Sequence, residues 1–315
     1  MLPASSSSTG DPRVARFIRR ELAAEPLRVP SLIVTIWGDA LAPQGTDYWL
    51  STILRLMAPF RVNERAVRTG MFRLHRGGWV EPRAVGRRSR YRLTAAGADG
   101  FERAFHRVYD SPFPPWDGTW EGVIAGMDVG GPAIRKRLRD ELAWAGYGRF
   151  GAEVFLRPAR DDHAAERIAE ALGVRANMTA MSAREPSDAG LPGLRERAEQ
   201  VWTLAALGGE YRRFLARFAG IASLVNHKEV DVEQAFVVRT LLVHAYRRVR
   251  LRDPQLPRDV LAGDWPGARA YGVARALYRA CRPAADRFVR GALTAEQEPS
   301  AAQRVRPPAR FVESA

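Results

Sequence analysis

The stretch from residue 61 to residue 92 constrains the fold of this chain more than any other part of the sequence. It reads RVNERAVRTGMFRLHRGGWVEPRAVGRRSRYR and contains ten arginines and two glutamates, which gives it a net charge of +8. The whole chain carries a net charge of +14, so about a tenth of the residues holds more than half of the excess. Such a concentration of positive charge is typical of a surface that binds a polyanion.

The first half of this stretch has the pattern of a capped amphipathic helix. Asn63 is a suitable N-cap, helical periodicity runs from residue 64 to residue 75, and Gly77-Gly78 ends it. One face of the predicted helix is apolar and carries Val67, Met71 and Leu74. The opposite face and its flanks carry Arg65, Arg68, Thr69, Phe72, Arg73 and Arg76. This pattern predicts a helix that packs on one side and presents arginine on the other.

The second half has the pattern of a basic hairpin. WVEPRAV and RYRLT are strand-like runs on either side of a turn centred on residues 86–89. An arginine-faced helix followed by such a hairpin is the sequence form of a winged helix-turn-helix. Its helix enters the major groove, and its hairpin lies along the backbone or in the minor groove. Two upstream helices are predicted over residues 31–40 and 46–58, with Thr46 as the N-cap of the second and Asp47 in its first turn.

The basic residues divide into two groups of predicted DNA contacts. The side chains expected at base edges and adjacent phosphates are Arg65, Arg68, Thr69 and Arg73. Those expected at phosphates or in the minor groove are Arg76, Arg87, Arg88 and Arg90. Arg92 is a candidate for bracing the hairpin from within. The alternative is a solvated helix face without a ligand, which the adjoining basic hairpin makes the less favoured interpretation.

The whole chain is predicted to be α+β, with an N-terminal winged helix-turn-helix, a central ferredoxin-like α/β domain and a C-terminal helical domain. An order of strand, helix, strand, helix and strand after the proline-rich linker predicts the ferredoxin-like part. The predicted segments are a flexible N-terminus with a short helix (1–28), the winged-helix domain (29–110), the linker (111–118), the central dimerisation domain (119–188), the helical effector and dimerisation domain (189–291) and a tail (292–315).

Composition narrows the class of protein further. Only two of the 49 basic residues are lysine, a bias that suits phosphate and guanine recognition but is explained equally well by a GC-rich genome. Cys281 is the single cysteine, which excludes an intrachain disulfide and a cysteine-based zinc site. No apolar run reaches the roughly 18 residues of a membrane span, and the N-terminus has no secretory signal pattern. A cytoplasmic protein without a membrane partner is therefore expected.

Four segments together resemble the PaaX family of bacterial repressors of phenylacetic acid degradation. The resemblance extends over about residues 29–290 and includes the order of the three predicted domains. The segments that carry it are SLIVTIWGDALAP (31–43), NERAVRTGMFRLHRGGWVEPRAVGRRSRYRLTAAG (63–97), PPWDGTW (114–120) and LLVHAYRRVRLRDPQLPRDVLAGDWPG (241–267).

The resemblance implies an activity that charge and periodicity alone do not. Proteins of this family repress catabolic operons and release DNA on binding an aryl-CoA thioester, typically phenylacetyl-CoA. Homodimerisation, double-stranded operator DNA and an acyl-CoA effector are therefore the expected partners, and no further cofactor is expected. Family members need not regulate the same pathway, so the effector of this chain could carry a different acyl group.

The C-terminal signature supplies candidates for the effector site. Arginine forks satisfy the phosphates of a CoA thioester, and an apolar or aromatic pocket takes its ring. The candidates are His244, Arg247, Arg248, Arg252 and Trp265. Their spacing places the first four within two turns of one helix. An amphipathic helix with salt bridges to Asp253, Asp259 and Asp264 explains the same residues about equally well.

Two alternatives to a repressor remain open at this point. The central domain of the family is similar to small dimeric ferredoxin-like endoribonucleases, in which a carboxylate at the position of Asp128 binds a metal. An ordinary strand-end aspartate is the favoured interpretation, because no second carboxylate lies in register. The other alternative is a nonspecific nucleic-acid-binding protein. No pairing of a nucleophile with a base and no metal-ligand spacing appears, so no catalytic residue and no metal site are predicted.

Overall fold

The structure is a computed structural model that describes residues 10–24, 26–113, 115–126, 128–184, 193–225, 230–296 and 310–311. The chain folds into two structural units. The first consists of Met1–Asp110, Phe214–Arg248 and Ala270–Ala315, and the second consists of Ser111–Arg213 and Val249–Arg269. Each unit therefore combines segments that are far apart in the sequence.

The N-terminal part of the first unit is a series of short helices around one small strand. Its elements are α1 (Pro12–Ala24), α2 (Val29–Ile36) continued by a π-helical turn (Trp37–Leu41), β1 (Asp47–Trp49), α3 (Leu50–Met57) continued by a 3-10 turn (Ala58–Phe60), and α4 (Glu64–Arg76). The predicted helix over residues 46–58 is wrong at its start. Asp47 lies in a strand instead, because it pairs across the sheet and accepts hydrogen bonds from Arg90.

Helix α4 forms as the sequence predicts. The side chain of Asn63 accepts a hydrogen bond from the backbone N–H of Ala66 at 2.8 Å, and Gly77 ends the helix. Val67 and Met71 are fully buried, which confirms the predicted apolar face. Gly70 allows close packing on α2, because a Cβ atom at this position would come within 2.9 Å of the Ile33 side chain. The opposite face is left to the solvent.

The predicted basic hairpin is confirmed, with a shorter turn than expected. Strands β2 (Val80–Val85) and β3 (Arg88–Leu93) pair antiparallel, and β1 adds to β3 to give the order β1-β3-β2. Arg88 already pairs with Val85, so only Gly86 and Arg87 form the turn. Gly86 has a φ of 59°, which a two-residue turn requires at its first position and which glycine adopts without strain.

Four further helices are longer than those described above. They are α5 (Ala95–Tyr109), α9 (Leu204–Val225), α10 (Val232–Arg250) and α11 (Pro266–Ala295). Helix α11 continues through Pro283. No helix among the described residues is long and apolar enough to cross a lipid bilayer.

The second unit contains a four-stranded antiparallel sheet. Its elements are β4 (Thr119–Ala125), α6 (Pro132–Trp144), β5 (Gly148–Arg149), β6 (Val154–Pro158), α7 (Ala164–Leu172), β7 (Met178–Arg184) and α8 (Leu194–Trp202). The strand order is β5-β6-β4-β7. The predicted alternation of strands and helices is confirmed, although β5 was missed because two residues give no periodic signal. Val123, Leu142 and Phe155 are buried in the core between sheet and helices.

A buried arginine organises the polar interior of the second unit. Arg157 is fully buried on β6 and donates hydrogen bonds to Glu121 at 2.8 Å and to Asp162 at 2.5 and 3.1 Å. Asp162 also accepts from the backbone N–H of Ala164, the first residue of α7, at 3.1 Å. These contacts tie β4, β6 and the start of α7 together, which is a structural role.

Candidate nucleic-acid interface

The exposed face of α4 carries the residues predicted to contact DNA bases. The side chains that this face leaves in solvent belong to Arg65, Arg68, Thr69, Phe72, Arg73 and Arg76. The hydroxyl of Thr69 donates to the backbone oxygen of Arg65 at 2.9 Å. Arg68 pairs with Glu64 at 3.6 Å, but both side chains are more than half exposed, so this ion pair is weak and readily exchanged for another anion.

Phe72 is an apolar exception on this otherwise basic face. Its side chain is 58% exposed, the highest value among the large hydrophobic residues that the structure describes as exposed. An exposed aromatic ring among arginines has no packing role in the unit. Apolar contact with a thymine methyl group in the major groove is one way in which proteins use such a side chain.

The hairpin arginines differ in exposure and in their partners. Arg87 is exposed at the turn. Arg90 is only 8% exposed and donates to the side chain and backbone oxygens of Asp47 at 2.9 and 2.8 Å. Its guanidinium also lies 4.6 Å from the centre of the Trp49 ring. The expectation that Arg90 is a surface contact is therefore corrected: Arg90 braces β3 against β1.

Arg92, the residue expected to brace the hairpin from within, links its two strands, although its side chain is exposed. It is directly opposite Glu81 in the strand register and donates to that carboxylate at 2.9 and 2.6 Å. The hydrogen bond and the charge of Glu81 raise the pKa of Arg92. The spacing of arginines along β3 could not distinguish the buried role of Arg90 from the exposed position of Arg92, because the partners of Arg90, Asp47 and Trp49, come from another strand.

Arg88 is held by a carboxylate that sequence analysis assigned to the tail. Its guanidinium donates to the Ser51 hydroxyl at 2.9 Å and to Glu296 at 3.1 Å, and Arg55 pairs with the same carboxylate at 2.9 Å. Partial burial would raise the pKa of Glu296, but the Ser51 hydrogen bond and the two guanidinium groups lower it. The positive charge of Arg88 is thus partly neutralised. No local sequence signal identifies Glu296.

Two of the C-terminal signature residues hold helices together in the first unit. His244 is buried on α10, with its Nδ1 atom 2.9 Å from the Thr35 hydroxyl. The guanidinium of Arg247 donates to the backbone oxygen and hydroxyl of Ser31 at 2.9 and 2.6 Å. Burial lowers the pKa of Arg247 to about 10. Arg248 is exposed on the same helix.

The other two signature residues belong to the second unit. Helix α10 ends at Arg250, so the expectation that Arg252 shares this helix is wrong. Arg252 instead pairs with Glu210 at 2.8 Å, and Trp265 packs edge-on against Tyr211 with ring centres 5.9 Å apart. The five predicted effector residues are therefore divided between two units, and their assignment to an effector stays a prediction.

The predicted metal alternative rests on Asp128, which is exposed beyond the end of β4. Over the part of the chain that the structure describes, no group of three histidine, cysteine, aspartate or glutamate side chains is placed to hold a metal ion.

Comparison with known proteins gives the same order of segments. Residues 28–97 match the PaaX-like protein model, residues 114–199 match the PaaX protein central Cas2-like domain, and residues 202–291 match the PaaX-like protein C-terminal domain. Transcriptional repressor PaaX of Escherichia coli (strain K12) is 32% identical over 276 residues, which cover 87% of this chain and 86% of that protein.

A solved structure is also similar in part. The uncharacterized protein Rv0674 from Mycobacterium tuberculosis aligns with a TM-score of 0.48 at 21% identity, over 88% of this chain and 97% of that one. With three matching segment models in the family's order and a relative at 32% identity over most of both lengths, this chain belongs to the PaaX family.

Proposed function

We propose that this protein is a transcriptional repressor that binds the operator of an aromatic-acid catabolic operon of the phenylacetate type. The single observation that carries the proposal is the face of α4, which exposes Arg65, Arg68 and Arg73 while Val67 and Met71 fix the helix from behind. Family membership and the similarity to the Escherichia coli repressor support the same activity. The protein acts on double-stranded DNA in the cytoplasm, as a regulator rather than as an enzyme.

The DNA-binding part is a winged helix-turn-helix. Helix α4 is the recognition helix in the major groove, where arginine reads guanine edges and Phe72 contacts thymine methyl groups. The β2-β3 hairpin is the wing, with Arg87 at its tip on the phosphate backbone. Support comes from the succession of α2, α3 and α4 before the β2-β3 hairpin, and from the exposure of every predicted base contact.

The central part is a ferredoxin-like domain that takes part in homodimerisation. The strands β4, β5, β6 and β7 are the first to the fourth strand of this domain along the chain. The order β7-β4-β6-β5 in its antiparallel sheet is therefore 4-1-3-2, the order expected of that fold. A dimer presents two recognition helices, so the operator is a palindrome whose half-sites lie one or more helical turns apart.

Release from DNA follows binding of an aryl-CoA thioester such as phenylacetyl-CoA. The effector changes DNA affinity only by its differential affinity for the bound and released conformations. Arg248, exposed on α10, is a candidate for a CoA phosphate. His244 and Arg247 act instead by holding α10 against α2, because their polar atoms are already engaged there.

Fluorescence anisotropy with duplex DNA from upstream of the protein's own gene tests this function. Release by phenylacetyl-CoA, but not by free phenylacetate or CoA, is the expected result. Specific binding that none of the three compounds changes would contradict the effector. Absence of sequence-specific binding would contradict the repressor, and DNA or RNA cleavage with added magnesium that Asp128→Ala abolishes would replace it with a nuclease.

Glu296→Gln is expected to raise the affinity for duplex DNA about two- to fivefold, whatever the sequence. The substitution removes the carboxylate that pairs with Arg88 and Arg55, so both guanidinium groups become available to phosphates. Anisotropy titrations at several salt concentrations measure the change. Glu102→Gln, the same loss of charge at an exposed site on α5, is the control. Equal affinities of the two variants would contradict this role of Glu296.

A further inference from the structure

A phenylalanine ring from the C-terminal region fills a chamber lined by tyrosines in the first unit. Phe311 is fully buried. Its ring centre lies 5.1 Å from that of Tyr109, 5.2 Å from Tyr278, 5.5 Å from Tyr271 and 6.0 Å from Tyr246. The walls come from α5, α10 and α11, three helices that are far apart in the sequence.

The walls are fixed by contacts that do not involve Phe311. The hydroxyls of Tyr109 and Tyr278 both donate to the buried carboxylate of Asp39, at 2.8 and 3.0 Å. The hydroxyl of Tyr271 donates to the backbone oxygen of Tyr109 at 3.2 Å. Arg239 pairs with the other oxygen of Asp39 at 3.0 Å. The chamber is therefore preorganised for an aromatic ring, whichever molecule supplies it.

The backbone at Phe311 is unfavourable. Its φ is 54°, in the left-handed region that a bulky side chain rarely adopts. Burial of the ring and the contacts of Arg310 offset this cost. Arg310 donates to the backbone oxygen of Gly38 at 3.2 Å and lies 3.6 Å from Asp39. A ligand that supplies an equivalent ring without a strained backbone can compete for the same space.

We propose that this tyrosine-lined chamber is a binding site for the benzyl group of an uncharged acyl compound, and that Phe311 is its built-in occupant. The side chain of phenylalanine is itself a benzyl group, so it reports the size and shape that the chamber accepts. This assignment rests on the proposed function in one respect, namely that the compound is the acyl part of the aryl-CoA effector.

The carboxylate of Asp39 beside the chamber determines which benzyl compounds bind best. Arg310 brings a positive charge towards Asp39, and a ligand that displaces it removes that charge. A free carboxylate would then face the carboxylate of Asp39, whereas an amide or a thioester carbonyl brings no negative charge. Neutral benzyl acyl compounds are therefore preferred over the corresponding acid.

Isothermal titration calorimetry with phenylacetamide and phenylacetate tests the site on the full chain. Phe311→Ala is expected to bind phenylacetamide about 10- to 100-fold more tightly than the wild type, because burial of a competing ring of that size is lost. Phenylacetate should bind more weakly than phenylacetamide. Phe150→Ala, which removes a partly exposed ring in the second unit, is the matched control and should leave the affinity unchanged.

Two further variants test whether the gain in phenylacetamide affinity arises in this chamber. A chain shortened before Arg310 should reproduce the gain, and it replaces Phe311→Ala if that variant does not fold. Tyr271→Ala added to either variant should abolish the gain, because it removes one wall of the chamber. Equal affinity of the wild type, Phe311→Ala and the shortened chain would overturn the proposal, as would a gain that survives the loss of Tyr271.

Failure of this inference and failure of the proposed function give different results. If Phe311→Ala gains affinity for phenylacetamide while phenylacetyl-CoA releases no operator DNA from the wild type, the chamber stands and the effector response is refuted. If phenylacetyl-CoA does release the DNA and Phe311→Ala gains no affinity for phenylacetamide, the effector response stands and the chamber is refuted.

Discussion

Replacing Asp39 with alanine is expected to lower the free energy of unfolding of the first unit by about 3–5 kcal/mol, the range observed when one partner of a buried ion pair is removed. Asp39 is 2% exposed in its side chain and pairs with Arg239, which is 1% exposed. The substitution would leave this guanidinium buried and paired with Asp286 at 2.5 Å. Two tyrosine hydroxyls would lose their acceptor as well.

Thermal unfolding of the variant beside two others measures this effect. Asp39→Asn keeps an oxygen that accepts from the tyrosines and should therefore cost less than alanine. Asp140→Ala breaks the exposed ion pair with Lys136, in which the lysine side chain is 71% exposed and the aspartate side chain 63% exposed. This substitution should lower the free energy of unfolding by less than about 1 kcal/mol. Equal stability of Asp39→Ala and Asp140→Ala would contradict the central role of Asp39.

The stability that Asp39 contributes to the first unit should depend on pH. Burial would raise the pKa of Asp39, but Arg239, Arg310 and the two tyrosine hydroxyls lower it below its ordinary value. A carboxylate with a lowered pKa in the folded state stabilises the fold above its unfolded pKa of about 3.9. This stability is lost as the pH falls through the folded pKa, so the difference between wild type and Asp39→Ala should shrink in acid.

Arg68→Ala is expected to weaken binding to the operator by about 1–3 kcal/mol, or roughly 5- to 150-fold, and to weaken binding to random duplex much less. The reason is the exposed position of Arg68 on the recognition helix, where only a weak surface pair with Glu64 competes with a base edge. Arg87→Ala at the tip of the wing is the matched comparison. It should weaken both duplexes alike and lower the salt slope by about one.

Anisotropy titrations with operator and random duplexes, each at several salt concentrations, separate the two substitutions. An equal loss of affinity for both duplexes in Arg68→Ala would assign this residue to phosphate rather than to a base. A loss confined to the operator in Arg87→Ala would place the wing in contact with bases.

The sequence by itself determined the features whose signals lie close together along the chain. The Asn63 cap, the buried face of α4, its exposed arginines and the basic hairpin are all encoded within about thirty residues, and all form as predicted. The alternation of strands and helices in the second unit is likewise local. Motifs of this kind also carried the resemblance to the PaaX family.

Only the tertiary structure decided which polar side chains remain available. Asp47 lies not in the predicted helix but in a strand, where it pairs with Arg90. The sequence pattern around Asp47 could not show this, because Arg90 lies 43 residues further along the chain. Glu296 contacts Arg88, although the two residues are 208 positions apart in the sequence. The tyrosines around Phe311 likewise come from three separate helices. Periodicity reports only which face of an element is apolar. The partner of a buried charge or ring is set by packing between distant segments, which no local pattern contains.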